Sequence, residues 1–179
     1  MTTQADETTE RIRAAALRLF ADRGYGNTTI EHISTAAEVG VATIYRRWED
    51  KAAIANDLYG IGLDSMDIIL AEPTPGEPRD QFIEIWNRAW TWATANREMF
   101  AFINASLGAP WLTDELSARK AAMTEAEVGT YARFELDAAP DFAAALIGGA
   151  LMSVLAMEPD VSPDEVGARL WRALKLDAD

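Results

Sequence analysis

Apolar side chains recur at three- and four-residue intervals along nearly the whole chain. Strictly alternating apolar and polar runs are missing, and short Pro or Gly breaks divide the sequence into about nine segments of helical period. The expected class is all-α. A first helix over 8–22 sets Ile12, Ala16, Leu19 and Phe20 on one face, and Gly24 is placed to end it in the left-handed conformation. Thr28-x-x-Glu31 reads as a capping box, so a second helix is expected over 29–36 with Ile30 and Ile33 inward. A turn over 37–40 then leads to a third helix over 41–48. A longer helix from Lys51 carries Ile54, Leu58, Ile61, Met66 and Ile69 toward the break Glu72-Pro73-Thr74-Pro75-Gly76-Glu77-Pro78, which reads as a seam between substructures. Further helices are expected over 80–95, 97–107, 113–137, 140–157 and 163–176. The last is signed by an N-cap Ser162, Pro163 in the first turn and Glu165.

Charge changes this picture more than composition does. The chain of 179 residues carries a net charge of -13, which looks wrong for a nucleic-acid binder, because affinity for DNA rests on cations that displace counterions from phosphates. The distribution is uneven. Residues 1–51 hold seven Lys/Arg against eight Asp/Glu, a net of -1, whereas 52–179 hold nine against twenty-one, a net of -12. A local positive spot at Arg46, Arg47 and Lys51 can face DNA while the acidic remainder suppresses non-specific binding. There is no cysteine and one histidine, His32, so disulfides are excluded, a zinc site is disfavoured and no cofactor is expected. The start MTTQADETTE lacks the features of a signal peptide, and no apolar run reaches the ~20 residues of a membrane span, so a cytoplasmic location is expected.

Three helices with a four-residue turn between the second and third fit a helix-turn-helix, whose last helix enters the major groove. The specific signal is the string Leu19-Phe20-x-x-x-Gly24-Tyr25-x-x-Thr28-Thr29, then Ile33-x-x-x-Ala37-x-Val39, then Thr43-Ile44-Tyr45-x-x-Trp48-x-x-Lys51. This string resembles the TetR family of bacterial regulators. Ala37 is small where two helices cross, and Val39, Ile44 and Trp48 read as plugs of the three-helix core. The core leaves Gly40, Val41, Ala42, Thr43, Tyr45, Arg46 and Arg47 to face the groove. Arg46 is the candidate for a fork to guanine. The resemblance implies that Tyr45, Arg47, Lys51 and the Thr28 hydroxyl hold phosphates. The chain departs from the family pattern at Glu38, where a turn glycine is usual, at Gly40, where an N-cap serine is usual, and at Arg46 and Arg47. A glycine in such a turn often has positive φ, which glutamate tolerates poorly, so a relaxed turn is possible at Glu38.

The helix over 80–95 has apolar residues on half its circumference, including Phe82, Trp86 and Trp90, which suits packing against several neighbours. Aromatic stripes are most often plain core. The resemblance places the effector pocket among these helices, with Trp86, Trp90, Met99, Phe102, Trp111, Met123 and Tyr131 as its candidate lining and a small hydrophobic or aromatic molecule as effector. From Phe142 to Met157 there is no charge, too short a run for a membrane span, so this helix must be buried all round, part of it against another subunit. By resemblance it forms a four-helix dimer bundle with the final helix, through Phe142, Ala145, Gly149, Met152, Val166, Leu170 and Leu174.

The expected organisation is a DNA-binding domain over 8–51 and an effector-binding and dimerisation domain over 52–179. The expected function is a ligand-responsive regulator: a homodimeric repressor that binds a double-stranded, pseudo-palindromic operator and is released by its effector. The alternatives are a regulator controlled by a protein partner and an architectural DNA-binding protein without effector. An enzyme finds little support, because no glycine-rich phosphate loop is present and no triad-like set surrounds His32.

Overall fold

The computed structural model describes residues 4–71, 75–157 and 162–175. Among them every regular element is a helix: α1 (Gln4–Arg23), α2 (Ile30–Ala36), α3 (Val41–Tyr45), α4 (Lys51–Ala71), α5 (Pro78–Ala95), α6 (Arg97–Ala105), α7 (Asp114–Ala132), α8 (Pro140–Met157) and α9 (Pro163–Lys175). The expected all-α class is what the chain adopts. Glu72, Pro73, Thr74 and Glu158 lie outside the described residues. Three helices end earlier than their periodicity predicts. α3 stops at Tyr45, not 48, α6 stops at Ala105, not 107, and α7 stops at Ala132, not 137. Beyond α7 the backbone turns through Glu135 at φ +49°, a left-handed residue that no helix can continue through. No described helix is long and apolar enough to cross a membrane.

The chain divides into two compact units. The first is Met1–Ser65 with Glu98–Ala118, and the second is Met66–Arg97 with Arg119–Asp179. In the first, α1 packs on α2 and α2 on α3 around Ile12, Ala16, Phe20, Ile33 and Ile44, all essentially inaccessible to water. A column of rings extends this core. Phe20 stacks on Phe102 (5.5 Å), Phe102 on Trp111 (6.0 Å) and Trp111 on Tyr25 (4.8 Å). Asn56 of α4 pins the same segment, donating to the Trp111 carbonyl at 2.8 Å and accepting from the Thr113 N–H at 3.0 Å. The stretch from α6 to Thr113 is thereby held against the three-helix module in one unit.

In the second unit α5 packs on α9 and α8. Phe82 meets Tyr131, Phe134 and Trp171 at ring separations of 5.4 to 6.2 Å, and the Trp86 indole N–H donates to the Pro163 carbonyl at 2.8 Å. Ser162 caps α9 as its sequence predicts, accepting from the Glu165 N–H at 3.2 Å. Gly167 is where α9 crosses α5, since a Cβ there would lie 2.7 Å from the Trp86 ring. Within the single chain the helix over Pro140–Met157 buries only part of its surface. One face is interior, with Ala143, Ile147 and Leu151, while Phe142 (60%) and Met152 (42%) on the other are open to solvent.

Candidate nucleic-acid interface

The approach to the reading helix is set by two adjacent threonines. Gly24 ends α1 at φ +78°, as expected. Thr28 is wholly buried, and its hydroxyl donates to the carbonyls of Leu19 (3.2 Å), near the end of α1, and Gly24 (3.0 Å), just past it. The capping box predicted from Thr28 and Glu31 is thus displaced by one residue. Thr29 is the N-cap, its hydroxyl accepts from the His32 N–H, and His32 Nδ1 accepts from the Thr29 N–H, both at 3.3 Å. Glu31 is still engaged there, since its own backbone N–H and then the Thr29 hydroxyl hold its carboxylate below the usual range. Helix α2 accordingly starts at Ile30 and not at 29. With no exposed hydroxyl, Thr28 cannot be the phosphate contact that the resemblance implied.

The turn keeps its left-handed residue despite the substitution. Glu38 sits at φ +54°, its N–H bonded to the Thr35 carbonyl, and the next residue is fixed when the Ser34 hydroxyl donates to the Val39 carbonyl at 2.6 Å. Gly40 caps α3 through its backbone alone, its carbonyl accepting from the Thr43 N–H at 2.8 Å. Ile44 and Trp48 plug the core as expected, as does Ala37, whereas Val39 is only half-buried. The outward face of α3 presents Gly40, Ala42, Tyr45 and Arg46, with Val41 and Thr43 partly exposed beside them. Tyr45 is 52% exposed.

The three cations assigned from sequence have different employments. The Arg46 guanidinium is exposed and rests on the Thr43 hydroxyl at 3.0 Å, leaving most of its donors for a partner. Arg47 is half-buried and ties α3 to α1, donating to the Thr9 hydroxyl at 2.9 Å and the Thr43 carbonyl at 3.1 Å. Lys51 donates to the carbonyls of Tyr25 (2.7 Å) and Thr28 (2.6 Å) and lies 4.0 Å over the Tyr25 ring. Partial burial lowers its pKa. Its ammonium therefore clamps the α1–α2 loop to the start of α4, a structural role with two of its three donors that the sequence expectation of a phosphate contact did not include.

Two features had no signal in the sequence. The Asp57 carboxylate on α4 accepts from Arg13 Nε (2.9 Å) and a second Arg13 nitrogen (3.0 Å), and from the Trp48 indole N–H (3.0 Å). It joins α1, the end of the reading element and α4, and it raises the pKa of Arg13. The second feature is an open cleft of about 400 Å³ lined by Thr8 and Arg11 of α1 and by Val39, Gly40, Thr43, Arg46 and Arg47. Both depend on which residues the tertiary fold brings together.

The candidate effector residues fall into both units. Met99, Phe102 and Trp111 belong to the first, where Phe102 is buried in the ring column. Trp86, Trp90, Met123 and Tyr131 belong to the second. Trp86 is wholly buried against Gly167 and Pro163, which makes it a packing residue. Tyr131 is 4% exposed, and its hydroxyl bonds to Glu127. Burial pushes the Tyr131 phenol up, Glu127 adds to the effect, and desolvation raises the Glu127 carboxyl as well. Of the dimer candidates, Phe142, Ala145, Gly149 and Met152 lie on the exposed face of α8, and Val166 and Leu170 are partly exposed. Leu174 is not available. It is fully buried, and its carbonyl accepts from the N–H groups of Asp137 and Ala138.

By its fold and exposed third helix the chain carries a helix-turn-helix, a class of module that binds DNA. Residues 12–58 match the family described as "Bacterial regulatory proteins, tetR family". An uncharacterized HTH-type transcriptional regulator of Mycobacterium bovis is 28% identical over 74 residues, 41% of this chain and 35% of that protein. The HTH-type transcriptional regulator AcrR of Shigella flexneri is 28% identical over 85 residues, 46% of this chain and 40% of that protein. The alignments thus span about a third to two-fifths of these relatives' length. Among solved structures, a TetR-like transcriptional regulator from Rhodococcus sp. RHA1 superposes with a TM-score of 0.76 at 17% identity, covering 97% of this chain and 98% of that one. AibR, solved in complex with isovaleryl coenzyme A and operator DNA, gives 0.74 at 16% identity over 93% and 97% of the two chains. Residues 12–58 thus match the DNA-binding part of a family of transcription regulators, and the chain as a whole shares the fold of solved tetR-family regulators.

Proposed function

We propose that this chain is a ligand-responsive transcriptional repressor, a homodimer that binds a pseudo-palindromic operator and is released by a small hydrophobic or aromatic effector. The observation that carries the DNA-binding part is the outward face of α3, where Tyr45 and Arg46 stand exposed on a helix whose other side is locked into the core by Ile44. Arg46 reads a base, Tyr45 takes a phosphate, and Gly40, Val41, Ala42 and Thr43 approach the groove edge. Arg47 holds the helix in place. The exposed apolar face of α8 supports dimerisation, with Phe142, Ala145, Gly149 and Met152 spaced three and four residues apart, and the partly exposed Val166 and Leu170 of α9 are the candidate contribution of that helix to the bundle. A two-fold dimer sets two reading helices one DNA turn apart, about 34 Å.

The half-buried Trp90 and Met123 are the best-placed effector contacts in the second unit. Helix α4 runs through both units, with Lys51–Ser65 in the first and the remainder in the second, so effector binding that shifts α4 reaches the reading head. AibR, solved with isovaleryl coenzyme A and operator DNA, supports small-molecule and DNA binding on this fold as a precedent and adds acyl coenzyme A esters to the effector classes worth testing. A coupling of about 1 to 3 kcal/mol, roughly 5- to 150-fold in affinity, is typical of such a response. The test is fluorescence anisotropy of a labelled duplex selected from random sequence, titrated with acyl coenzyme A esters and planar aromatics. Release of DNA by one of these classes is expected. Tighter DNA binding, or no response to either class, would contradict the proposal.

A further inference from the structure

The cleft between α1 and α3 has a composition that is unusual for this chain. Three of its seven lining residues are arginines and none is acidic, in a protein whose net charge is -13. Its cations come from two helices. Arg46 and Arg47 belong to the reading element, and Arg11 comes from α1, exposed at the border of the face that buries Ile12, Ala15 and Ala16. The nearby Arg13 is already committed to Glu10 at 2.7 Å and to Asp57 at 2.9 Å. Arg11 is different: among the described residues it has no hydrogen-bond or ion-pair partner. An exposed guanidinium at the mouth of a carboxylate-free cleft is a receptor for an anion.

Position then narrows the anion. Gly40 and Thr43 of the reading helix form one wall of the cleft. A helix seated in a major groove about 12 Å wide has the sugar–phosphate strands running beside it. A strand flanking α3 on the α1 side passes the cleft mouth, where Arg11 can reach a phosphate that no residue of α3 needs to contact. We infer that the cleft seats a phosphodiester of the DNA backbone and that Arg11 of α1 is its principal ligand, so that α1 is a DNA-contacting element and not only a support. This rests on the DNA-binding reading above.

Counterion release supplies a measurement specific to the contact. Each phosphate neutralised adds about 0.9 to the slope of log K against log salt. The slope is measured with a 30-base-pair duplex selected from random sequence and with an unselected random duplex, for the full-length protein and for Arg11→Gln, Arg11→Lys and Arg18→Gln. Arg18 is exposed on the same helix, outside the cleft. Arg11→Gln is expected to lower the slope by about one on both duplexes, to weaken both by a similar factor, and so to leave their ratio intact. Arg11→Lys should keep the slope and Arg18→Gln should not change it. An unchanged slope in Arg11→Gln overturns the inference alone, as does an equal fall in Arg18→Gln, which would be a net-charge effect. A wild-type protein that enriches and binds no DNA overturns the inference and the DNA-binding reading together. Inorganic phosphate is titrated separately by thermal shift. Stabilisation by phosphate that depends on Arg11, with the DNA slope unaltered, would assign the cleft to a free anion and overturn the inference.

Discussion

Glu38 holds a backbone conformation, φ +54°, that costs an L-residue roughly 1 to 2 kcal/mol. Glycine would avoid that strain but give back part of the gain as unfolded-chain entropy. Glu38→Gly is therefore expected to stabilise the protein by about 0.5 to 1 kcal/mol, a rise of about 1 to 4 °C in Tm. A fall in Tm on thermal denaturation would show that the glutamate is held by something other than the turn. Asp57 is the opposite case. Its carboxylate satisfies three donors, so Asp57→Ala strands the Arg13 guanidinium and the Trp48 indole and is expected to cost about 2 to 3 kcal/mol in urea denaturation. A loss below about 0.5 kcal/mol, the range of ordinary surface substitutions, would contradict this reading.

The Glu127 carboxyl titrates against the fold. Desolvation raises its folded pKa above the unfolded value, so its favourable contribution is complete only at low pH, where it is protonated, and is lost as pH rises through the folded value. Glu127→Gln is thus expected to raise Tm at neutral pH and to leave it nearly unchanged below about pH 4, near the unfolded pKa of glutamate. Equal shifts at both pH values would mean that burial of the charge is not the cause.

Among the helices, the crossing of α5 and α9 offers a test of packing against a fixed ring. Gly167→Ala puts a methyl 2.7 Å from a Trp86 ring that its own hydrogen bond to Pro163 holds in place, so a loss of about 1 to 3 kcal/mol is expected. A neutral outcome would mean that the ring can move aside.

Helix existence was plain from the 3.6-residue period, because each helix buries one face and the pattern records it. Register at the ends was not. Thr28 and Thr29 are adjacent, and each has a capping partner three residues on, Glu31 and His32 respectively. The choice is made by the buried carbonyls at the end of α1, which take the Thr28 hydroxyl. In the same way α9 carries apolar residues of different burial. Its sequence alone does not say that Leu174 turns to its own chain while Val166 and Leu170 stay partly open. Lys51 and Arg47 read as free cations because their acceptors, backbone carbonyls and a threonine hydroxyl, leave no mark in a sequence pattern.

For the protein in its assembled form, the exposed stripe of α8 carries the expectation of a dimer. Met152→Glu places a carboxylate from each protomer in an apolar interface, which is expected to weaken self-association by about a hundredfold or more. Light scattering should show a monomer where the parent is a dimer, with operator affinity falling in step. The two parts of the charge distribution then have separate consequences. On the proposed function, the nearly neutral residues 1–51 are expected to bind DNA through a few cations while the acidic remainder disfavours random DNA.

The most direct measurement is selection of bound duplexes from a random pool by the full-length protein, followed by sequencing. The expected result is enrichment of a pseudo-palindrome whose half-sites lie about one helical turn, 10 to 10.5 base pairs, or a multiple of it apart. The preference at one position of each half-site should be lost in Arg46→Ala. Absence of any enriched sequence, or enrichment that Arg46→Ala leaves unchanged at every position, would contradict the account.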